Sequence, residues 1–434
     1  MEAGLAFDEP TWHCMRRRTY RWARWTACLA LLLAACSAGN DVGSEELSSK
    51  ADPADFDWSS MRPVPEHELW EGPILLSTGL WDVDAKTATE LLSILVREKV
   101  TVWILSPKGW SDGGIRAPFT RFQDSIRREQ IRFVAHDDEE KAESAPLPWV
   151  RDFGPIVVQD AEKRYALVSN RYLERPGADA NRYQVSLQSR QNVADALGLQ
   201  IRDSGLNIDG GMLAIRSGRP QIFASAAAAL INGFSPDGRG LQGFTSALGR
   251  VLKHRVTVFF DRFPGEMTTH IDPFFVVLKE DQALIGRPDE GFTTGEYNLP
   301  DDAAVLRHFQ TTLATVQSQT DLTGMWAATI FHNGRYLDQR FWHWRSYASV
   351  MVLNEQTVIA PRYLDQPLNL RRQREAELET SLRGAGFTKI HWLNADALIN
   401  TAGGGLHCTY VRLPNNTPKP CGSKGGTGFG PRRR

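Results

Sequence analysis

The chain has 434 residues, 42% of them hydrophobic, 23% charged and 10% aromatic, a globular composition that excludes disordered, collagen-like and coiled-coil proteins and can supply a sizeable core. Fifty basic residues stand against fifty-one acidic ones for a formal charge of -1, so the balance gives no reason to expect nucleic acid as a partner. Five cysteines are too few for a disulfide framework in a chain of this length.

Arg16, Arg17, Arg18, Arg21 and Arg24 precede an uncharged run from Trp25 to Ala35. That run is too short to cross a hydrocarbon core of ~30 Å as a helix, and with its basic flank it reads as a signal peptide. A short buried helix at the start of a cytosolic protein is the other reading. Leu33-Ala34-Ala35-Cys36 resembles the bacterial lipoprotein box, which makes residues 1–35 a leader, Cys36 the lipidated residue, and Met15 a second candidate start. Cys14 and Cys28 leave with such a leader, and Cys408 and Cys421 remain as thiols. The address is then extracytoplasmic, with the membrane reached only through a lipid anchor.

Residues 36–57 are small, polar and without apolar period, and fit a flexible tether. The folded part is expected over 58–416, as one domain without an internal linker. Its first segments alternate: a strand at 74–78, an amphipathic helix at 88–99, a strand at 100–106, a helix candidate at 119–129 and a strand at 131–136. The order is α/β. Two stretches, 273–286 and 349–361, each join two apolar runs through a charged or amide-bearing turn and read as hairpins. No Gly-x-Gly-x-x-Gly follows a strand and no phosphate loop is present, so no nucleotide cofactor is expected. The Gly-rich basic end, 417–434, reads as a disordered tail.

Four segments carry residues that a core does not require: Trp149-Val150-Arg151-Asp152-Phe153-Gly154-Pro155, Asn207-Ile208-Asp209-Gly210-Gly211, Thr269-His270-Ile271-Asp272 and Gly403-Gly404-Gly405-Leu406-His407-Cys408. Each puts ionisable groups beside a glycine turn or strand end, where backbone can approach a ligand. Cys408 after three glycines suggests an open turn with an accessible sulfur that backbone N–H groups or a nearby cation could ionise. A buried inert thiol, or a disulfide to Cys421, are the alternatives. His270 and Asp272 are two apart, so a strand there would place imidazole and carboxylate on one face. A surface His–Asp pair is one alternative. A metal site built from His270, Asp272, His407 and Cys408 is another, although the usual ligand spacings are absent.

Asp152 and Asp209 add two carboxylates. Acids around a thiol raise its pKa, so such a site makes sense when a cation arrives to offset them. Paired carboxylates match the N–H fork of a guanidinium better than an ammonium. Read singly, Asp152 is also compatible with a surface ion pair and Asp209 with a plain turn residue.

At these residues, from about Trp70 to Pro414, the sequence resembles the agmatine deiminase and bacterial (Porphyromonas-type) peptidylarginine deiminase family of guanidino-modifying enzymes. Trp-x-Arg-Asp-x-Gly-Pro, acidic-Gly-Gly, His-x-Asp and Gly-Gly-Gly-x-His-Cys occur in the family's order. The resemblance implies a pentein, an α/β propeller of five ββαβ-like units about a pseudo-fivefold axis, with no metal or organic cofactor. It implies that Cys408 attacks the guanidinium carbon and that Asp152 and Asp272 bind the guanidinium nitrogens beside Trp149. His270 would protonate the departing ammonia and activate water, with Asp209 orienting the imidazole. The product is a ureido group, formed through a covalent thiouronium.

Two departures bear on substrate. Where the family often has Ser-Tyr-x-Asn, this chain has Ser346-Tyr347-Ala348-Ser349, a hydroxyl in place of an amide. Agmatine deiminases tend to carry an acid two residues before the tryptophan, and here the position is Leu147. Peptidyl-arginine or free arginine is therefore the leading substrate, with Arg171 or Arg175 as a grip for a carboxylate or simply a solvated basic loop. Agmatine, giving carbamoylputrescine, is the nearest rival, and a guanidinium-binding lipoprotein without turnover is the rival of a different class.

Overall fold

The computed structural model describes residues 56–108, 117–136, 147–171, 181–216, 221–261, 263, 270–288, 302–332, 344–402 and 404–415. All of them lie in one compact unit, Glu46–Arg434. The strands and longer helices are, in chain order, β1 (Arg62–Pro63), β2 (Ile74–Ser77), α1 (Gly79–Arg97), β3 (Val102–Ser106), β4 (Ile131–Ala135), β5 (Ile156–Gln159), β6 (Tyr165–Arg171) and α2 (Asn181–Leu197). Next come β7 (Ile201–Asn207), β8 (Leu213–Arg216), β9 (Gln221–Ser225), α3 (Gly238–Leu252), β10 (Val256–Phe260), β11 (Phe275–Lys279), β12 (Gln282–Pro288), α4 (Asp302–Gln319), β13 (Gly324–His332) and β14 (Trp344–Ser346). The last are β15 (Met351–Val352), β16 (Thr357–Arg362), α5 (Leu368–Gly384), β17 (Lys389–Asn394), α6 (Asp396–Ala402) and β18 (Val411–Arg412). No helix among the described residues is long and apolar enough to cross a membrane.

These strands form five sheets built on one plan. A first strand pairs antiparallel with a second, and a helix then carries the chain to a third that runs parallel to the second, as parallel pairing requires of any connection. The series are β5-β6-α2-β7, β8-β9-α3-β10, β11-β12-α4-β13 and β15-β16-α5-β17. The fifth sheet follows the same plan with late and early strands joined, since its first strand is β18 and its second and third are β2 and β3, linked by α1. The hairpins expected at 273–286 and 349–361 are β11-β12 and β15-β16.

Local chemistry accounts for the elements. β2 and β3 are buried at every position, which is why Ile-Leu-Leu-Ser and Val-Trp-Ile-Leu-Ser do not alternate. Asp237 caps α3 by accepting from the N–H groups of Arg239 at 2.9 Å and Gly240 at 3.0 Å. α1 breaks at Asp84, whose carboxylate accepts from Lys86 and Thr87 N–H and restarts the helix. Its apolar stripe, including Leu91, Leu92 and Leu95, packs with Ile74, Ile104, Val358 and Leu382, each worth ~1.5–3 kcal/mol of burial.

The extended stretch expected at His270–Asp272 is a turn instead. Phe274 and Phe275 donate to the carbonyl of Ile271 at 3.0 and 2.8 Å, and Ile271 N–H is taken by Gly211 O at 2.8 Å. Pro273 has no N–H to give to a ladder, so β11 starts only at Phe275.

A common placement ties the fold to the chemistry. The turn just before the first strand of each sheet carries one of the singled-out residues: Asp152 before β5, Asp209 before β8, His270 and Asp272 before β11, Ser349 before β15, and Cys408 before β18. Each turn touches the next. A side chain at Gly210 would strike Arg151 O at 2.1 Å, and one at Gly211 would strike the His270 ring at 2.4 Å. Ser346 Oγ donates to Pro273 O. Ser349 Oγ accepts from His407 N–H at 3.0 Å, and Arg151 Nε donates to His407 O at 3.4 Å.

Candidate active site

The contacts between turns bring the four motif segments to one point. His270 Nε2 lies 3.3 Å from Asp209 Oδ2 and 3.9 Å from Asp152 Oδ1, while Nδ1 lies 3.8 Å from Asp272 Oδ1. Cys408 Sγ donates to Asp272 Oδ2 at 3.6 Å. Ligand atoms of Cys408, His270 and Asp272 all fall within 4.8 Å of one another. Asp152, Asp209, His270, Asp272 and Cys408 are all buried. The glycines matter as space: Gly211 lets the imidazole ring pass over its backbone, and Gly404 receives the Trp149 indole, which a side chain there would meet at 2.6 Å.

Charge follows from that crowding. Burial opposes protonation of His270, but Asp152, the hydrogen bonds to Asp209 and Cys408, and Asp272 outweigh it, and the ring's pKa rises well above its ordinary value. Burial likewise pushes the Cys408 thiol up, and Asp272 and Asp152 add to this against a smaller opposing pull from His270, to about 12. Asp272 goes the other way. Its desolvation is overcome by the hydrogen bond and charge of His407, then by His270 and Arg151, and its carboxyl sits below the usual carboxylate range. The resting site is therefore a neutral thiol beside an imidazolium, among three carboxylates. Negative charge is in excess, which suits a cationic ligand. Asp272 Oδ1 is buried without a hydrogen-bond partner, so an incoming N–H group would find an acceptor there.

Cys408 differs from the expectation of an accessible sulfur on an open turn. It lies buried in the turn of helix His407–Thr409, because Leu406, Thr409 and Tyr410 on either side are core residues. Burial and then the neighbouring acids hold it protonated against the pull of His270. Among the described residues it forms no disulfide, and Cys421, the partner considered for it, lies outside them. Asp152 does not pair with its neighbour, since Arg151 pairs with Glu66. Arg171 pairs with Asp203 at 3.1 Å. Arg175 and Cys36 lie outside the described residues, as do Thr269 and Gly403. His270, Asp272 and Cys408 are also the set that could take a metal ion.

Arg151 and Glu66 had no assigned role in the sequence, and His407 had one only as a possible metal ligand. Arg151 and His407 stand inside quoted motifs, and their charge beside Asp152 and Cys408 was the available signal. Glu66 gave none, because Pro-Glu-His-Glu reads as a solvated run. In the structure Glu66 pairs with Arg151, accepts from Tyr410 Oη at 3.0 Å and lies 3.9 Å from His407 Nε2. Glu66, Arg151, Asp272 and His407 line a cavity of about 100 Å³.

No family model and no curated protein matches the sequence. Solved structures do match. The agmatine deiminase of C. jejuni is 17% identical, with a TM-score of 0.57 over 81% of this chain and 95% of that one. The agmatine deiminase of Enterococcus faecalis is 15% identical, with a TM-score of 0.55 over 82% and 96%. A protein of Porphyromonas gingivalis proposed to be an arginine deiminase is 14% identical, with a TM-score of 0.57 over 82% and 99%. The likeness is one of fold, and the family that the four motifs resemble is the family of these structural neighbours.

Proposed function

We propose that this chain is an enzyme that hydrolyses a guanidino group to a ureido group and ammonia. The observation that carries the reading is the convergence of Cys408, His270 and Asp272 within 4.8 Å, with Asp152 and Asp209 on the other edge of the same imidazole. A guanidinium seated between Asp152 and Asp272 presents its flat carbon to Cys408 Sγ, and its positive charge offsets the anions that keep the thiol neutral. Sulfur bonds to that carbon, and one C–N bond breaks. His270 gives its own proton to the departing nitrogen, and the thiol's proton leaves with it as ammonium, so the imidazole is neutral when water arrives. The covalent thiouronium then takes water, which His270 deprotonates. The C–S bond breaks, the ureido product leaves and the thiol is restored. In this reading the five sheets are the units of a pentein, and each contributes its first turn to the centre.

Peptidyl-arginine or free arginine is the leading substrate. It is supported by Leu147, which puts no acid where an amine-bearing substrate would want one, and by the extracytoplasmic address read from residues 1–36. Agmatine is the second reading, favoured by the fold shared with two agmatine deiminases. The binding-only alternative leaned on Ser349, and that hydroxyl is engaged in holding the amide of His407. Incubating the mature chain with arginine, agmatine and arginine-containing peptides, with ureido product and ammonia as readouts, tests the proposal. Turnover by wild type and none by Cys408→Ala is the expected result; binding of arginine without release from any substrate sinks the hydrolase and leaves the binding module. Lipid attachment at Cys36 predicts that Cys36→Ala releases the chain from the membrane fraction, and an unchanged fraction would remove it.

A further inference from the structure

The two oxygens of Asp272 are in different circumstances. Oδ2 accepts from His407 Nδ1 at 2.9 Å and from Cys408 Sγ at 3.6 Å. Oδ1, buried and without a hydrogen-bond partner, lies 3.8 Å from His270 Nδ1. A buried carboxylate oxygen left bare costs free energy until a donor arrives, and a guanidinium N–H is such a donor. The imidazole that holds Oδ2 is itself fixed on several sides. Its Nε2 faces Glu66 Oε2 at 3.9 Å. Glu66 is held by Arg151 and by Tyr410 Oη, and Arg151 lies 5.0 Å over the Tyr410 ring. The backbone N–H of His407 is held by Ser349.

We propose that His407, oriented by Glu66, is a positioning residue: its Nδ1–H pins one oxygen of Asp272 so that the other is presented to the guanidinium carbon's N–H groups. The inference rests on the guanidine-hydrolase reading above and adds the device that aims its substrate carboxylate. Without the pin, Oδ2 keeps only the longer contact from Cys408 Sγ, and the carboxylate is freer to rotate. The groups facing Asp272 are His407, His270, Cys408 and Arg151, and of these His407 does most to keep the carboxyl ionised. Its loss raises the carboxyl's pKa, so a rate that needs the anion fails at a higher pH than in wild type.

The test compares His407→Leu, which has no donor, with His407→Asn, whose amide nitrogen reaches the place of Nδ1 but not that of Nε2. Titration of the Asp272 ¹³C carboxyl resonance, assigned through Asp272→Asn, needs no turnover. The expected result is a midpoint at higher pH in His407→Leu, a KM for arginine or agmatine raised about tenfold or more, and recovery of most of both in His407→Asn. An unchanged midpoint and KM in His407→Leu overturns the proposal. Equal losses in both variants also overturn it, because ring packing rather than the donor would then be at stake. Should His407→Leu not fold, His407→Gln, whose amide reaches Nε2 but not Nδ1, serves in its place. If wild type releases no ammonia from any guanidine while the midpoint moves as expected, the hydrolase reading fails and the pinning of Asp272 stands.

Discussion

His270 has Asp209 and Asp152 at one edge and Asp272 at the other, and that arrangement decides its protonation. An imidazole this buried would ordinarily stay neutral; here the surrounding anions win, and in the proposed mechanism the ring carries the proton that the departing nitrogen needs. His270 must hold that proton, so kcat/KM falls as pH rises through its elevated pKa. Asp209→Asn removes one of the interactions that raise it, and the alkaline limb should move to lower pH in that variant. A pH profile of kcat/KM measures this directly, and an alkaline limb identical to wild type would remove Asp209 as the imidazole's partner. Single residues were also where the sequence was most and least legible. Asp152, Asp209 and Cys408 were readable because glycine turns accompany them in short motifs, and His270 and Asp272 because they stand two residues apart. Glu66 was not, because its role comes from Arg151 and Tyr410, which reach it from distant parts of the chain.

Elements were legible where burial dictates pattern. The apolar runs at β2, β3 and β4, the stripe of α1 and the two hairpins all follow from which faces are covered. The turn at His270–Asp272 was not, since side-chain alternation says nothing of a carbonyl on another segment, Gly211 O, that claims the backbone N–H of Ile271. α4 offers a test at this scale. Its His308 is 7% exposed, with the rings of Phe274, Phe263 and Phe309 at 4.6, 5.1 and 5.7 Å, and its Nε2 has no hydrogen-bond partner. Burial lowers its pKa to about 4. The unfolded chain binds this proton below the ordinary histidine value and the folded chain does not, so stability falls as pH drops from there toward 4. Phenylalanine binds no proton. Between pH 7 and 5, His308→Phe should gain up to about 2 kcal/mol relative to wild type in urea denaturation, and parallel pH dependences in the two proteins would refute it.

At the scale of the whole described structure, one sheet joins strands from early and late in the chain. β18, from the end of the described chain, pairs with β2 near its start, so the sheet that carries Cys408 exists only when both ends are in place. Arg412 secures this closure. It is 1% exposed, and it donates to the carbonyls of Trp70 and Gly72 beside β2 and of Val352 and Leu353 at the end of β15, at 2.6 to 3.3 Å. Arg412→Met leaves four carbonyls without that donor and should cost about 3 kcal/mol or more. Chemical denaturation measures the loss, and a cost below about 1 kcal/mol would show that the closure does not depend on it. None of this was visible in the sequence, because Arg412 lies two residues after Tyr410 with no motif to mark it, and its four partners come from two other segments.

In the proposed mechanism Cys408 Sγ bonds to the guanidinium carbon during turnover. Acid-quenching the wild-type chain while it turns over arginine, agmatine or an arginine peptide, and then weighing the intact protein and its Cys408 peptide by mass spectrometry, tests this most directly. The expected result is an adduct on Cys408 with the mass of the substrate less one ammonia, absent from Cys408→Ala, which releases no ammonia. Ammonia released by Cys408→Ala at the wild-type rate, or turnover in wild type with the Cys408 peptide never modified, would contradict it.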